Sequence, residues 1–562
     1  MKLFSLIKLL PYACLGAWIS PALSFALPAF PGAEGFGASA TGGRGGDVYY
    51  VTNLEASGPG SFLNGIQTVP AKGRTIVFSV SGMIPIKKAH LKASNVTIAG
   101  QTAPGDGVGL QGSSFRISGD QVVIRHLRFR HGKSGNGGDC LNPDSGSANL
   151  ILDHCDVMFS TDENFSMFRT APKNLTFQWS TNAWGLHSHS AGGLWLIDHA
   201  TAHHTLWANN HTRNPKVICP NLFDWVNNVT FGWDIGMNLA GADKGGVFKV
   251  NLRGNSFVHG AKTGNAVFGG GLAPDGTTPF RVHVEDCALD GNGNGVLDVT
   301  KTDYDLIAEK TLYTKEKAIF PQTSSAEPGL KEEIIGVPVT VDDRVTAFKK
   351  IISLVGPLRM DVDSSKGLRD EVTQRLIDDV VAQKRKIISD EKELGLGNNG
   401  MGVLETGKVP LDTDQDGMPD FWETALGSNV NKDDHHEILP IHGKAHFFPV
   451  GTGEGYTRLE EYLHFLASPH GVIEESKPLR TVKLSIDLKK FTSGFQESPV
   501  FTISNIVGGT VLQTGNGGSV VHFQPKNGWT GRAWFDFTVR DKEGSTLKQT
   551  CLLLIIPEPR KH

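Results

Sequence analysis

Three features of the sequence point to an all-β-dominated chain built round a parallel β-helix, with a helical flanking segment and a C-terminal β-sandwich. They are a short strand motif recurring at a near-constant offset, a helix-period stretch behind it, and a final run of alternating strands. The motif starts at Asn95 (NVTIAG), Gln121 (QVVIRH), Asn149 (NLILDH), Asn174 (NLTFQW), His199 (HATAHH), Phe223 (FDWVNN) and Val250 (VNLRGN), with successive offsets of 26, 28, 25, 25, 24 and 27 residues. One strand per period fits coils that stack to share a core. A sandwich there would need hairpin turns, and two-residue Asn-Gly turns are scarce. The sixth position of the repeats reads Gly100, His126, His154, Trp179, His204, Asn228 and Asn255, a column whose polar members must partner one another once buried. Structural stacking, not catalysis, is the role expected of His126, His154 and His204.

From Asp303 the texture changes to charged, helix-period runs. Val345, Phe348, Ile351 and Ile352, then Val372, Leu376, Val380 and Val381, fall at helical spacing and imply helices on the flank or end of the solenoid, hiding an edge. TVKLSIDL, SPVFTIS, SVVHFQP, RAWFDFTVRD and QTCLLLII alternate as strands of a small sandwich. At the start, Lys2 and Lys8, an apolar middle broken by Pro11 and Pro21, and Ser24-Phe25-Ala26 form a secretory signal with a small-x-small cleavage site. No later run is long and apolar enough to span a membrane. The expected organisation is a signal at 1–26, the β-helix domain at 27–302, the helical flank at 303–410, a calcium loop and linker at 411–470, and the sandwich at 471–562. A secreted monomer follows.

Composition excludes other classes. With 562 residues, 39% hydrophobic and 20% charged, the chain is neither disordered nor a membrane bundle, and it holds several folding units. Its 54 Lys and Arg against 58 Asp and Glu give no basic excess for nucleic acid. Beyond Cys14, five cysteines at irregular spacing form neither a disulfide framework nor a metal knuckle.

LDTDQDGMPDFWE sets Asp412, Asp414 and Asp416 at loop positions one, three and five, Gly417 at six, Asp420 at nine and Glu423 at twelve. This is the ligand order of an EF-hand calcium loop, and carboxylates this close repel one another without a cation. With nothing nucleophilic beside it, the ion is structural. Half of the 20 histidines lie between His126 and His259, near Asp139, Asp162, Glu163, Arg213 and Lys216, so chemistry is expected there.

FPGAEGFGASATGGRGG with VTNL and GPGSF, GGD at 137–139, LILDHCD at 150–156, STDEN at 160–164 and HHTLWANNHTRNPK at 203–216 together resemble the family 1 polysaccharide lyases, the pectate lyases, from about Phe30 to His259. The downstream helices and DTDQDGMPDFWE look like the tail of secreted bacterial members, and the last module looks like a cadherin-like or Ig-like domain. The resemblance implies a right-handed parallel β-helix that cleaves α-1,4-galacturonan, the acidic chain of pectate and pectin, by β-elimination with Ca2+. It assigns Arg213 as the base for the C5 proton and Asp139 and Asp162 as calcium ligands, with Glu163 able to serve beside Asp162. Ser166 stands where the family often has a third carboxylate. GLHSH replaces a family lysine, so His187 or His189 would hold the substrate carboxylate, with Lys216 in place of a second arginine. Two alternatives are a glycan-binding or adhesin-like solenoid without catalysis, and a polygalacturonase-like hydrolase using Asp153 and Asp156.

Overall fold

The computed structural model describes residues 27–557 apart from 136, 145, 168–171, 241–247, 261–263, 270–279, 312, 325–332, 364, 439–454 and 475–482. The export segment expected at 1–26 lies outside the described residues.

Each repeat supplies one strand of an eleven-stranded parallel sheet, sheet I, running from Asp47–Val51 to Tyr313–Lys315. After a corner of one or two residues the chain enters a ten-stranded sheet II, and a third face is made by a three-stranded and a four-stranded sheet. The expected parallel β-helix is thus the body of the molecule. Strand pairing continues past residue 302, because Phe280 sits opposite Tyr313.

Alternation within each strand fills the core. Ile98, Ile124, Leu152, Phe177, Ala202, Trp225, Leu252 and Val284 stand in register on successive coils and are buried. The residues between them face outward, and the glycine-rich N-terminal segment lies on them as a strap. The amides of Gly37 and Gly43 donate to Thr176 Oγ1 at 2.9 Å and Thr97 Oγ1 at 2.8 Å. A Cβ on Gly37 would stand 2.1 Å from the Leu150 carbonyl oxygen, so this glycine lets backbone lie directly on sheet.

The corner column differs from the sequence alignment in its last two members. Leu222 sits opposite His199 and Lys249 opposite Leu222, so these repeats begin one residue earlier than Phe223 and Val250, and the offsets become 23 and 27. The sixth positions are therefore Asn227 and Gly254. His126, His154, Trp179, His204 and Asn227 share positive φ of 49–53°. The rings stack, with centroids 4.9 Å apart for His126 and His154 and 4.3 Å for Trp179 and His204. Asn228 and Asn255 form the adjoining column, accepting from the amides of Thr205 and Asn228. The three histidines are therefore structural, as expected.

Helix α1 spans Phe62–Gln67, while α2 (Arg344–Leu354) and α3 (Glu371–Val381) are capped by Asp343 and Asp370. Ile351, Ile352, Val372, Leu376, Ile377 and Val380 pack on Met158, Ala183, Leu206, Val229 and Phe231, so these helices cover the outer face of sheet II and not an edge. Val345 and Val381, at helix ends, stay exposed despite their apolar spacing. Beyond α3 the chain becomes a second strap. Arg385 donates to the Gly232 carbonyl and the Lys386 amide to Asn209, Ile388 accepts from the His187 amide, and Glu391 accepts from the Lys133 amide. It therefore crosses the loops that leave sheet II, coil after coil.

Helices α4 (Asp420–Leu426) and α5 (Arg458–Leu466) pack against Val48, Ala99, Leu552 and Leu554. The C-terminal strands form a four-stranded and a three-stranded sheet around Phe501, Phe523, Phe535 and Phe537. Cys140, Cys155, Cys219, Cys287 and Cys551 are buried and unpaired. No described helix is long and apolar enough to cross a membrane.

Candidate functional site

The loops between sheet II and the third face bring together residues far apart in sequence. Glu163, Ala191 and Thr212 are bridged in parallel on successive coils, which puts the loops carrying Asp162, His189 and Arg213 side by side. The Glu163 amide donates to Asp139 Oδ1 at 3.2 Å, and Asn142 Nδ2 donates to Asp139 Oδ2 at the same distance. Arg213 forms an ion pair with Glu163, whose side chain is only 5% exposed. His189 Nε2 lies 3.4 Å from Asp162 and 3.6 Å from Glu163. Burial, reinforced by the Asp162 charge, pushes the Asp139 carboxyl up to about 7 despite Arg213 and His189 nearby. Arg213 itself has φ 55°, the left-handed backbone that the corner residues of this solenoid also adopt.

Of the expected residues, Asp139, Asp162, Glu163, His189 and Arg213 therefore form one cluster. His187 stands apart from it, exposed, with its ring edge-on to His211 at 5.9 Å. Lys216 is half-buried at the head of Lys216–Ile218, between Leu194 and Asn238. Ser166 has its hydroxyl engaged by the Leu194 carbonyl. Asp153 and Asp156 do not join this cluster. Asp153 pairs with Arg125, Asp156 with Arg130, and the side chains are 1% and 0% exposed. That removes Asp153 and Asp156 as a hydrolytic pair, since enclosed carboxylates cannot flank a glycosidic bond across a water.

The sequence reading missed His211, whose Nδ1 is 2.5 Å from Asp234 Oδ2, with Arg385 on the other Asp234 oxygen. The available signal was the coil period itself. His187, His211 and Asp234 lie 24 and 23 residues apart, so they stack.

The acidic loop also closes in three dimensions. Asp412, Asp414 and Asp416 present oxygens within 4.8 Å of one another, and Asp416 meets Glu423 and Asp434 in the same way. Both oxygens of Asp414 and of Glu423 are enclosed without a hydrogen bond. Burial and then the charges of Asp414, Asp416, Asp434 and Asp412 push Glu423 up to about 8, and burial pushes Asp416 up to about 6. Asp420 does not join them. Its carboxylate accepts from the amide and hydroxyl of Thr413 at 2.8 Å, and Asp434, which sequence reasoning passed over, faces the loop in its stead.

A second such turn, Asp290-Gly-Asn292-Gly-Asn294-Gly-Val296-Leu-Asp298, was also overlooked, although its alternating Asp and Asn were legible. Asp290 is 3% exposed, and its oxygens complete no hydrogen bond, with the amides of Asn292 and Asp298 nearby. Burial and the Asp298 charge raise its carboxyl above the ordinary range.

No protein-family model matches the chain. Curated relatives do. A probable pectate lyase C of Emericella nidulans is 37% identical over 472 residues, covering 80% of this chain and 96% of that protein. One from Aspergillus flavus is 37% identical over 425 residues, covering 74% and 91%. Among solved structures, a pectate lyase bound to a hexasaccharide is 14% identical with a TM-score of 0.37, covering 60% of this chain and 99% of that one, a likeness too slight to carry an argument. Both curated relatives are fungal, so they do not support the bacterial type that the tail suggested. Identity above one third across nearly the full length of such relatives shows that the chain belongs to the pectate lyase family of polysaccharide lyases.

Proposed function

We propose that the protein is a secreted lyase that cleaves α-1,4-galacturonan by calcium-assisted β-elimination. The observation that carries this reading is the convergence of Arg213 with Asp139, Asp162 and Glu163 in one cluster. The curated relatives named as probable pectate lyase C support the reaction class. Two carboxylates and a third pushed up to about 7 by burial and by one of them form a hard-oxygen set suited to a calcium ion. Bound there, calcium would neutralise the acids and polarise the uronate carboxylate, which acidifies the C5 proton.

Arg213 does the proton transfer. A guanidinium is a poor base while a carboxylate stabilises its charge, and Glu163 is its partner in the bare site. Engagement of Glu163 elsewhere removes that stabilisation, and Arg213 accepts the C5 proton as neutral guanidine after giving one proton to water. His187 and Lys216 supply positive charge for neighbouring uronates, His187 only when protonated. His189, facing Asp162 and Glu163, orients the acids.

The loop at 412–423 with Asp434 holds a structural cation under the same reading, because the enclosed carboxylates of Asp414 and Glu423 have no donors and need a counter-charge. The direct test is incubation with polygalacturonate and calcium. Ultraviolet-absorbing unsaturated ends support elimination, reducing ends alone indicate hydrolysis, and neither indicates a glycan-binding solenoid.

A further inference from the structure

We infer that His211, held by Asp234, is the general acid that protonates the departing glycosidic oxygen, an inference that rests on the lyase reading above. Elimination needs two proton transfers, and the Arg213 cluster accounts for one. His211 lies two residues before Arg213 on the same loop, and its side chain is 36% exposed. Its Nδ1 is engaged by Asp234 at 2.5 Å, which fixes the ring and leaves Nε2 as the open nitrogen. Asp234 is fixed in turn by Arg385, whose Nε also donates to the Gly232 carbonyl. The His211 carbonyl accepts from the amides of Asp234 and Ile235, and its amide donates to Ser190 Oγ, so the backbone is pinned on both sides. A carboxylate bound to one imidazole nitrogen and an unfilled second nitrogen are the two requirements of a proton donor in a positioned site.

The step balances with water as the only other participant. Arg213, as the neutral guanidine left once it has given a proton to water, takes the C5 proton, the C5–H electron pair becomes the C4=C5 double bond, and the C4–O4 bond breaks with its pair left on O4. His211 Nε2–H gives its proton to O4 and becomes neutral imidazole, which regains a proton from water between turnovers. Asp234 holds the ring at Nδ1 throughout the transfer. The titratable and charged groups facing His211 are Asp234 on the following coil, His187 on the preceding one, and Arg385 behind Asp234.

The test uses the full chain with calcium and polygalacturonate. His211→Ala is expected to keep the wild-type melting temperature and KM within twofold while kcat falls about a hundredfold. Added imidazole restores part of the rate in that variant. Asp234→Asn, which loosens the ring but keeps it, gives a smaller loss in kcat at an unchanged KM. Retention of kcat within threefold, or a rise in KM alone, overturns the acid role and makes His211 a binding group. Wild-type chain that yields no unsaturated product removes the lyase reading itself, and the acid role with it.

Discussion

Arg213 concentrates the argument at the residue scale. Its left-handed backbone costs about 1–3 kcal/mol, a cost retained only where neighbours over-determine the conformation. The Ala191 to Thr212 bridge, the Glu163 ion pair and the pinned His211 backbone do so. Arg213→Ala should therefore leave the fold intact in the presence of calcium and reduce the release of unsaturated product at least about a hundredfold, the range of a lost acid–base group. Arg213→Lys keeps charge but not the fork, so it should fail nearly as badly. Full turnover by either variant rejects the base assignment. At this scale Arg213, Asp139 and Asp162 were legible because local motifs carried them. His211 with Asp234 was not, because no local motif marks a pair joined only by one turn of a solenoid.

The 412–423 loop shows what an element adds. In the bare folded chain Glu423 keeps its proton up to about pH 8, whereas in the unfolded chain it releases it near about 4.3. Across that window the folded state binds more protons, so stability must fall as pH rises. Asp416, pushed up to about 6, adds to the fall over the lower part. Chelated protein should therefore melt at a lower temperature at pH 8 than at pH 5, and saturating calcium should abolish or reverse the trend; a flat melting curve with chelator rules out a cation there. Asp434→Asn should weaken the calcium response, while Asp420→Asn should leave it, since Asp420 holds Thr413. Sequence spacing alone assigned the ninth position to Asp420, because a residue from outside the loop cannot be read from the loop's own order. The strap is a second element with a sharp test. Gly37→Ala brings a Cβ to 2.1 Å from the Leu150 carbonyl and should cost about 1–3 kcal/mol, seen as a lower urea midpoint.

Over the whole molecule, the repeat fixed the solenoid in advance because one strand per period is a pattern that neither helices nor hairpins imitate. What the pattern could not give is where the other units sit, since packing partners share no periodicity. The sandwich does not hang free. Leu354, Leu358, Met360 and Leu368 of the helical region lie in one apolar cluster with Phe491, Phe501, Phe535 and Phe537 of the sandwich, and Trp179 of the corner column packs on that cluster. Lys349 of α2 pairs with Asp541, and Arg532 meets Glu461 of α5 at 2.7 Å, with both side chains under 10% exposed. Burial pushes Glu461 up to about 7, and removal of Arg532 leaves that carboxyl enclosed without this counter-charge. Arg532→Ala should therefore cost about 3–5 kcal/mol, the penalty of breaking a buried pair from one side. Because the contact joins the sandwich to α5, and α5 to the first coils through Ala99, that loss should lower the melting of the entire chain. Scanning calorimetry should give one transition that moves as a unit in the variant. Two transitions, with only the smaller displaced, would mean that the sandwich unfolds independently of the solenoid.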